Sequence, residues 1–111
     1  MMNIMEIKGY KAVINYDQEI EMFRGEFIDL NGGADFYARD IDSLHREGDI
    51  SLKVFLQGCA ERGIEPRKVY SGKLMLRIPP SVHAKASAAA TAAGKSLNAW
   101  AAEVLNQAAL P

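Results

Sequence analysis

Hydrophobic and polar positions divide this chain into two differently patterned halves. From Tyr10 to Tyr16 the residues alternate, with Tyr10, Ala12, Ile14 and Tyr16 on one side, which predicts a half-buried strand. Asp17-Gln18-Glu19 is a short polar connection. A second alternating run from Ile20 to Ile28 sets Ile20, Met22, Arg24, Glu26 and Ile28 against Glu21, Phe23, Gly25, Phe27 and Asp29. Asn31-Gly32-Gly33 is a strong turn signal, and residues 34–39 make a third strand. The period then changes from two to 3.6. Asp40 or Asp42 is placed to cap a helix along which Ile41, Leu44, Leu52, Phe55, Leu56 and Cys59 fall near one face. Gly48 interrupts that face and would permit close approach to the sheet. Residues 61–63 end the helix.

The second half opens on a short alternating strand, residues 73–78, with Leu74, Leu76 and Ile78 on one face and Lys73, Met75 and Arg77 on the other. Pro79-Pro80 stops it, since proline cannot donate to a ladder, and Pro80 or Ser81 suits the first turn of a helix running to about Ala93. Seven of the ten residues from Ala84 to Ala93 are alanine, a composition that favours helix and lets a neighbour pack closely. Gly94 fits the left-handed position closing that helix, and Ser96 fits the N-cap of the next. Leu97, Trp100, Ala101, Val104, Leu105 and Ala108 then form one apolar stripe. One strand with one apolar face cannot stand alone, and its simplest partner is the same strand of a second chain. The dimer core expected is Leu74, Leu76, Ile78, Leu97, Trp100 and Val104. The resulting two-stranded ribbon has the width and chemistry to enter the DNA major groove.

The formal charge of −1 conceals a split at the same boundary. Residues 1–70 hold nine Lys/Arg against thirteen Asp/Glu, net −4, whereas residues 71–111 hold Lys73, Arg77, Lys85 and Lys95 against Glu103 alone, net +3. The basic part suits nucleic acid and the acidic part a basic protein partner. No apolar run reaches the length of a membrane span and the first residues lack the pattern of a signal peptide, so a cytoplasmic protein without membrane contact is expected. Cys59 is the sole cysteine and is expected to be a small buried hydrophobe.

The strand-helix-helix segment resembles the ribbon-helix-helix DNA-binding domains of the Arc and MetJ repressor class. The resemblance rests on Lys73-Leu-Met-Leu-Arg-Ile-Pro-Pro, the alanine-rich helix, and Gly94-Lys-Ser-Leu-Asn-Ala-Trp. It implies base contacts from Lys73, Met75 and Arg77, and phosphate contacts from Lys95, Ser96, Leu97 and Asn98 at a helix start, where unpaired N–H groups and the helix dipole favour an anion. Met75 can touch a thymine methyl but cannot hydrogen-bond a base.

The whole order of blocks, Tyr10-Lys-Ala-Val-Ile, Phe23-Arg-Gly-Glu-Phe, Phe36-Tyr-Ala-Arg-Asp and Ser71-Gly-Lys-Leu-Met-Leu-Arg-Ile-Pro-Pro, resembles HicB-family antitoxins. The fold class this implies is α+β: a three-stranded antiparallel sheet with one helix, like a truncated ribonuclease-H sheet, in a toxin-binding domain over residues 1–64. A linker (65–72) and a ribbon-helix-helix domain (73–111) follow. The implied partners are a HicA-like RNA-cleaving toxin, operator DNA and a second copy of the chain, with tetramers left open. The resemblance also implies repression of the operon encoding both proteins. An orphan regulator with the same DNA-binding domain and no toxin is the alternative. No cofactor, metal or catalytic residue is expected. Asp17, Glu19, Glu21, Glu26, Asp29 and Asp35 are numerous but form no compact acidic motif of the kind two-metal nucleases need, and His45 and His83 are isolated. Phe23, Phe36 and Tyr37 are the candidate apolar anchors for the toxin.

Overall fold

A computed structural model describes residues 3–109, which fall into two compact units that divide after Tyr70. In the first unit, β1 (Ile4–Ile7), β2 (Tyr10–Asp17), β3 (Met22–Phe27) and β4 (Asp35–Ala38) form an antiparallel meander, and α1 (Ile41–Arg62) packs on one face. The second unit contains α2 (Pro80–Ala92) and α3 (Leu97–Ala109).

The sheet has four strands where the alternation predicts three. The additional one is β1, joined to β2 by a two-residue turn in which Lys8 (φ 50°) and Gly9 (φ 82°) are both left-handed. Such a turn matches the twist of paired strands, but lysine at its first position is not the Asn or Asp that would have announced it. The Lys8 ammonium reaches Asp49 of α1 at 2.9 Å, which ties the turn to the helix. The β2–β3 connection is also longer than expected. Glu21 is left-handed (φ 52°), so β3 begins at Met22 and Ile20 lies exposed in the turn.

Register fixes which side chains meet the helix. Met5 and Ile7 oppose Ala12 and Tyr10, Ile14 opposes Gly25, and Gly25 opposes Phe36, all on one face. Buried Ile7, Ala12, Phe27, Phe36 and Ala38 from the sheet meet buried Leu44 and Leu52, and Leu30 and Ala34 extend the core beyond the strands. Cys59, on the same helix, is buried as expected. Two glycines make this packing possible. A Cβ on Gly25 would sit 2.1 Å from the Phe36 ring, and one on Gly48 would sit 2.3 Å from Ile7 Cδ1. Gly25 thus leaves the space its cross-strand neighbour's ring occupies, and Gly48 lets α1 approach the sheet.

The α1 termini follow from local chemistry. Asp40 is the N-cap, its carboxylate accepting from the Ser43 N–H at 2.8 Å and from the Ser43 hydroxyl at 3.0 Å. Gly63 is left-handed (φ 65°), and the Ile64 N–H reaches back to Cys59 O, closing the helix. Ile41, expected on the buried face, is instead exposed, because it stands at the first helical position beyond the edge of the core.

Residues 65–70, expected to be linker, are strapped to the first unit. Leu30 and Arg67 form a bridge, Asn31 donates to the carbonyls of Glu65 and Arg67, and the Arg67 guanidinium lies 3.9 Å from the Tyr10 ring centroid. Tyr70 donates its hydroxyl to Asp29 at 2.8 Å. The contact boundary accordingly falls after Tyr70.

Candidate nucleic-acid and partner interfaces

The second unit holds the residues expected to touch DNA. Among its described residues only Ala90 is buried, while Leu74, Leu76, Ile78, Val82, Leu97, Val104 and Leu105 are exposed and Trp100 is half-buried. In a single chain that apolar set faces water and lies in no core. Residues 73–78, expected as a strand, are extended chain without strand assignment and pair with no described strand, because a single strand has no ladder to form without a neighbour. Lys73, Met75 and Arg77 are all exposed, Met75 to 89 %.

The α2–α3 connection is tightly specified. Gly94 is left-handed (φ 69°), the Lys95 N–H bonds Ala90 O at 2.9 Å, and the Gly94 N–H bonds Thr91 O at 3.0 Å. That pair of reversed bonds is the Schellman closure. The next helix starts at once: Ser96 Oγ accepts from the Ala99 N–H at 3.1 Å and Ser96 O from the Trp100 N–H at 2.9 Å. Helix geometry leaves the N–H groups of Leu97 and Asn98 pointing out of the first turn. Lys95, Ser96, Leu97 and Asn98 are therefore contiguous at one helix N-terminus, with exposed side chains. The Lys95 ammonium is paired with Glu103.

In the first unit the three candidate anchors separate. Phe36 is in the core and is unavailable to a partner; Phe23 lies half-buried, its ring edge-on to Tyr16 at 5.5 Å; Tyr37 is exposed on the opposite face of the sheet. The carboxylates are dispersed among structural tasks. Asp17 accepts from the Glu19 N–H, Asp29 from Tyr70, and Asp35 pairs with Arg24 at 2.5 Å. The Asp35 hydrogen bond and charge hold the Arg24 guanidinium still more firmly protonated than usual.

Residues 55–105 match the model of the HicB family. The match runs from the last turns of α1 through the residue 73–78 segment to most of α3, a little under half of the chain. Neither the curated proteins nor the solved structures give a significant match. The matched segment thus includes every residue expected at DNA, whereas the meander lies outside it. No helix among the described residues is long and apolar enough to cross a membrane.

Proposed function

We propose that this chain is the antitoxin of a type II toxin–antitoxin pair, which neutralises a HicA-like RNA-cleaving toxin through residues 1–70 and represses its own operon through residues 71–111. The observation that carries the reading is the HicB-family match across residues 55–105, joined to a second unit whose apolar residues lack cover in one chain. Two copies would pair residues 73–78 antiparallel, bury Leu74, Leu76 and Ile78 against Leu97, Trp100 and Val104, and turn Lys73, Met75 and Arg77 outward into a major groove. The Leu97 and Asn98 N–H groups, with Ser96 and Lys95, would receive a phosphate. The −4 charge of residues 1–70 favours encounter with a basic protein, and covering that protein's RNA-binding surface requires no catalysis.

The test is co-production of the full chain with the protein encoded by the adjacent reading frame. Restored growth, a co-purifying complex and a gel shift of the upstream DNA are expected. A gel shift with neither rescue nor complex would replace the antitoxin reading with that of an orphan regulator.

A further inference from the structure

One end of the first unit carries an open depression of about 420 Å³ at the margin of the core. Asn3 lines it together with the apolar or aromatic Ile4, Met5, Ile14, Tyr16, Phe23 and Ile41. Tyr16 is 57 % exposed and Ile41 55 %, although both are large and apolar. Three segments converge there: the start of β1, the β2–β3 hairpin end, and the entry to α1. Register brings them together, since Phe23 opposes both Tyr16 and Ala38, and the Ile14 N–H bonds Asn3 O. The hairpin end and helix entry carry Asp17, Glu19, Glu21, Asp40 and Asp42, with Arg39 as the only base between residues 16–23 and 39–42. Hydrogen bonding to the Ser43 backbone and hydroxyl, with the Arg46 charge nearby, holds Asp40 below its ordinary range.

We infer that this acid-rimmed depression is where a basic protein partner docks, inserting an apolar side chain between Tyr16, Phe23 and Ile41 while its Lys and Arg residues meet the rim. The inference rests on the antitoxin reading and locates the toxin's contact within it. An apolar centre surrounded by charge is the arrangement of an interface hot spot and its rim. The sign of the adjoining segments selects the occupant: the five acidic residues of the hairpin end and helix entry repel nucleic acid and steer a cationic protein. The other groove of this unit, between β4 and the Ile50 and Val54 side of α1, carries less of that bias, because Asp35 is paired with Arg24 and the groove also includes Arg62.

Titration calorimetry of the full chain against the purified product of the adjacent reading frame tests the site. Ile41→Asp removes the apolar anchor at an exposed first-turn position where an acidic residue suits the helix dipole, so the fold is retained. It should weaken binding by about thirtyfold or more. Val54→Asp, equally exposed chemistry on the same helix, should leave affinity unchanged. Glu19→Lys should slow association severalfold, with the deficit shrinking as salt rises. A wild-type chain that does not bind overturns the antitoxin reading and this site with it. Wild-type binding that survives Ile41→Asp, or that is lost in Val54→Asp alone, overturns the site and leaves the antitoxin reading standing.

Discussion

At the residue scale, single atoms decide whether the first unit can close. Adding a methyl group at Gly25 or Gly48 places carbon within 2.1–2.3 Å of Phe36 or Ile7, less than any non-bonded contact tolerates. Gly25→Ala and Gly48→Ala should each cost roughly 1–3 kcal/mol in urea unfolding, and Gly33→Ala, with nothing within 4 Å, should cost far less. Asp40 acts through charge as well as geometry. Its carboxyl is held below the ordinary range by the Ser43 N–H and hydroxyl, and Asp49 is held down likewise by Lys8 and Lys53. A lowered folded-state value adds stability above the unfolded value and loses it as pH falls, so the melting temperature should drop below about pH 4. Asp40→Asn retains a capping acceptor and should flatten that acid limb, whereas Asp40→Ala should lower the melting temperature at every pH.

Among the elements, the residue 73–78 segment and α3 leave their apolar side chains largely uncovered in a single chain. The prediction for DNA is specific to side chain: Arg77→Ala should weaken operator binding by roughly 1–3 kcal/mol per subunit and relax base preference. Ser96→Ala, which removes the cap seen at Ala99, should weaken binding evenly across sequences. A gel-shift titration at fixed salt with operator and scrambled duplexes separates the two, and unchanged affinity for Arg77→Ala would remove this segment from the groove. The strap at residues 65–70 has an optical signature. Donation to Asp29 raises the Tyr70 hydroxyl above its ordinary value, so one tyrosine should ionise late in an absorbance titration and return to normal in Asp29→Asn.

For the whole molecule, the exposed stripe makes assembly the first quantity to measure. Trp100 is only half-buried in one chain, so Trp100→Ala in a monomer should cost well under the roughly 3–5 kcal/mol of a core tryptophan, and in a shared core the full amount. A melting temperature that rises with protein concentration for the wild type, and collapses for Trp100→Ala, is the expected pattern for a dimer. A folded, concentration-independent monomer by sedimentation would end the ribbon proposal.

What the sequence determined is what nearest neighbours along the chain determine. The Ser96 cap, a cap at Asp40 or Asp42 of which the structure uses Asp40, the helix ends at Gly63 and Gly94, and the two alternating runs of the central hairpin all follow from backbone hydrogen bonds made within a few residues. The α+β class and the buried Leu44, Leu52 and Cys59 followed from periodicity on those elements. Tertiary structure decided what depends on distant partners. β1 exists because Ile4–Ile7 finds β2 through a turn whose lysine gives little local warning and whose charge is answered by Asp49, far along the chain in α1. Residues 65–70 became part of the first unit because Asn31 and Asp29 gather their backbone and Tyr70. Phe36, Phe23 and Tyr37 were equivalent as aromatic residues in sequence and became core, rim and open surface only when register and Gly25 chose which face met α1. Ile41 left the core for the same reason: periodicity gives an angle around the helix, but how far the sheet extends beneath that turn is set by strands elsewhere in the chain.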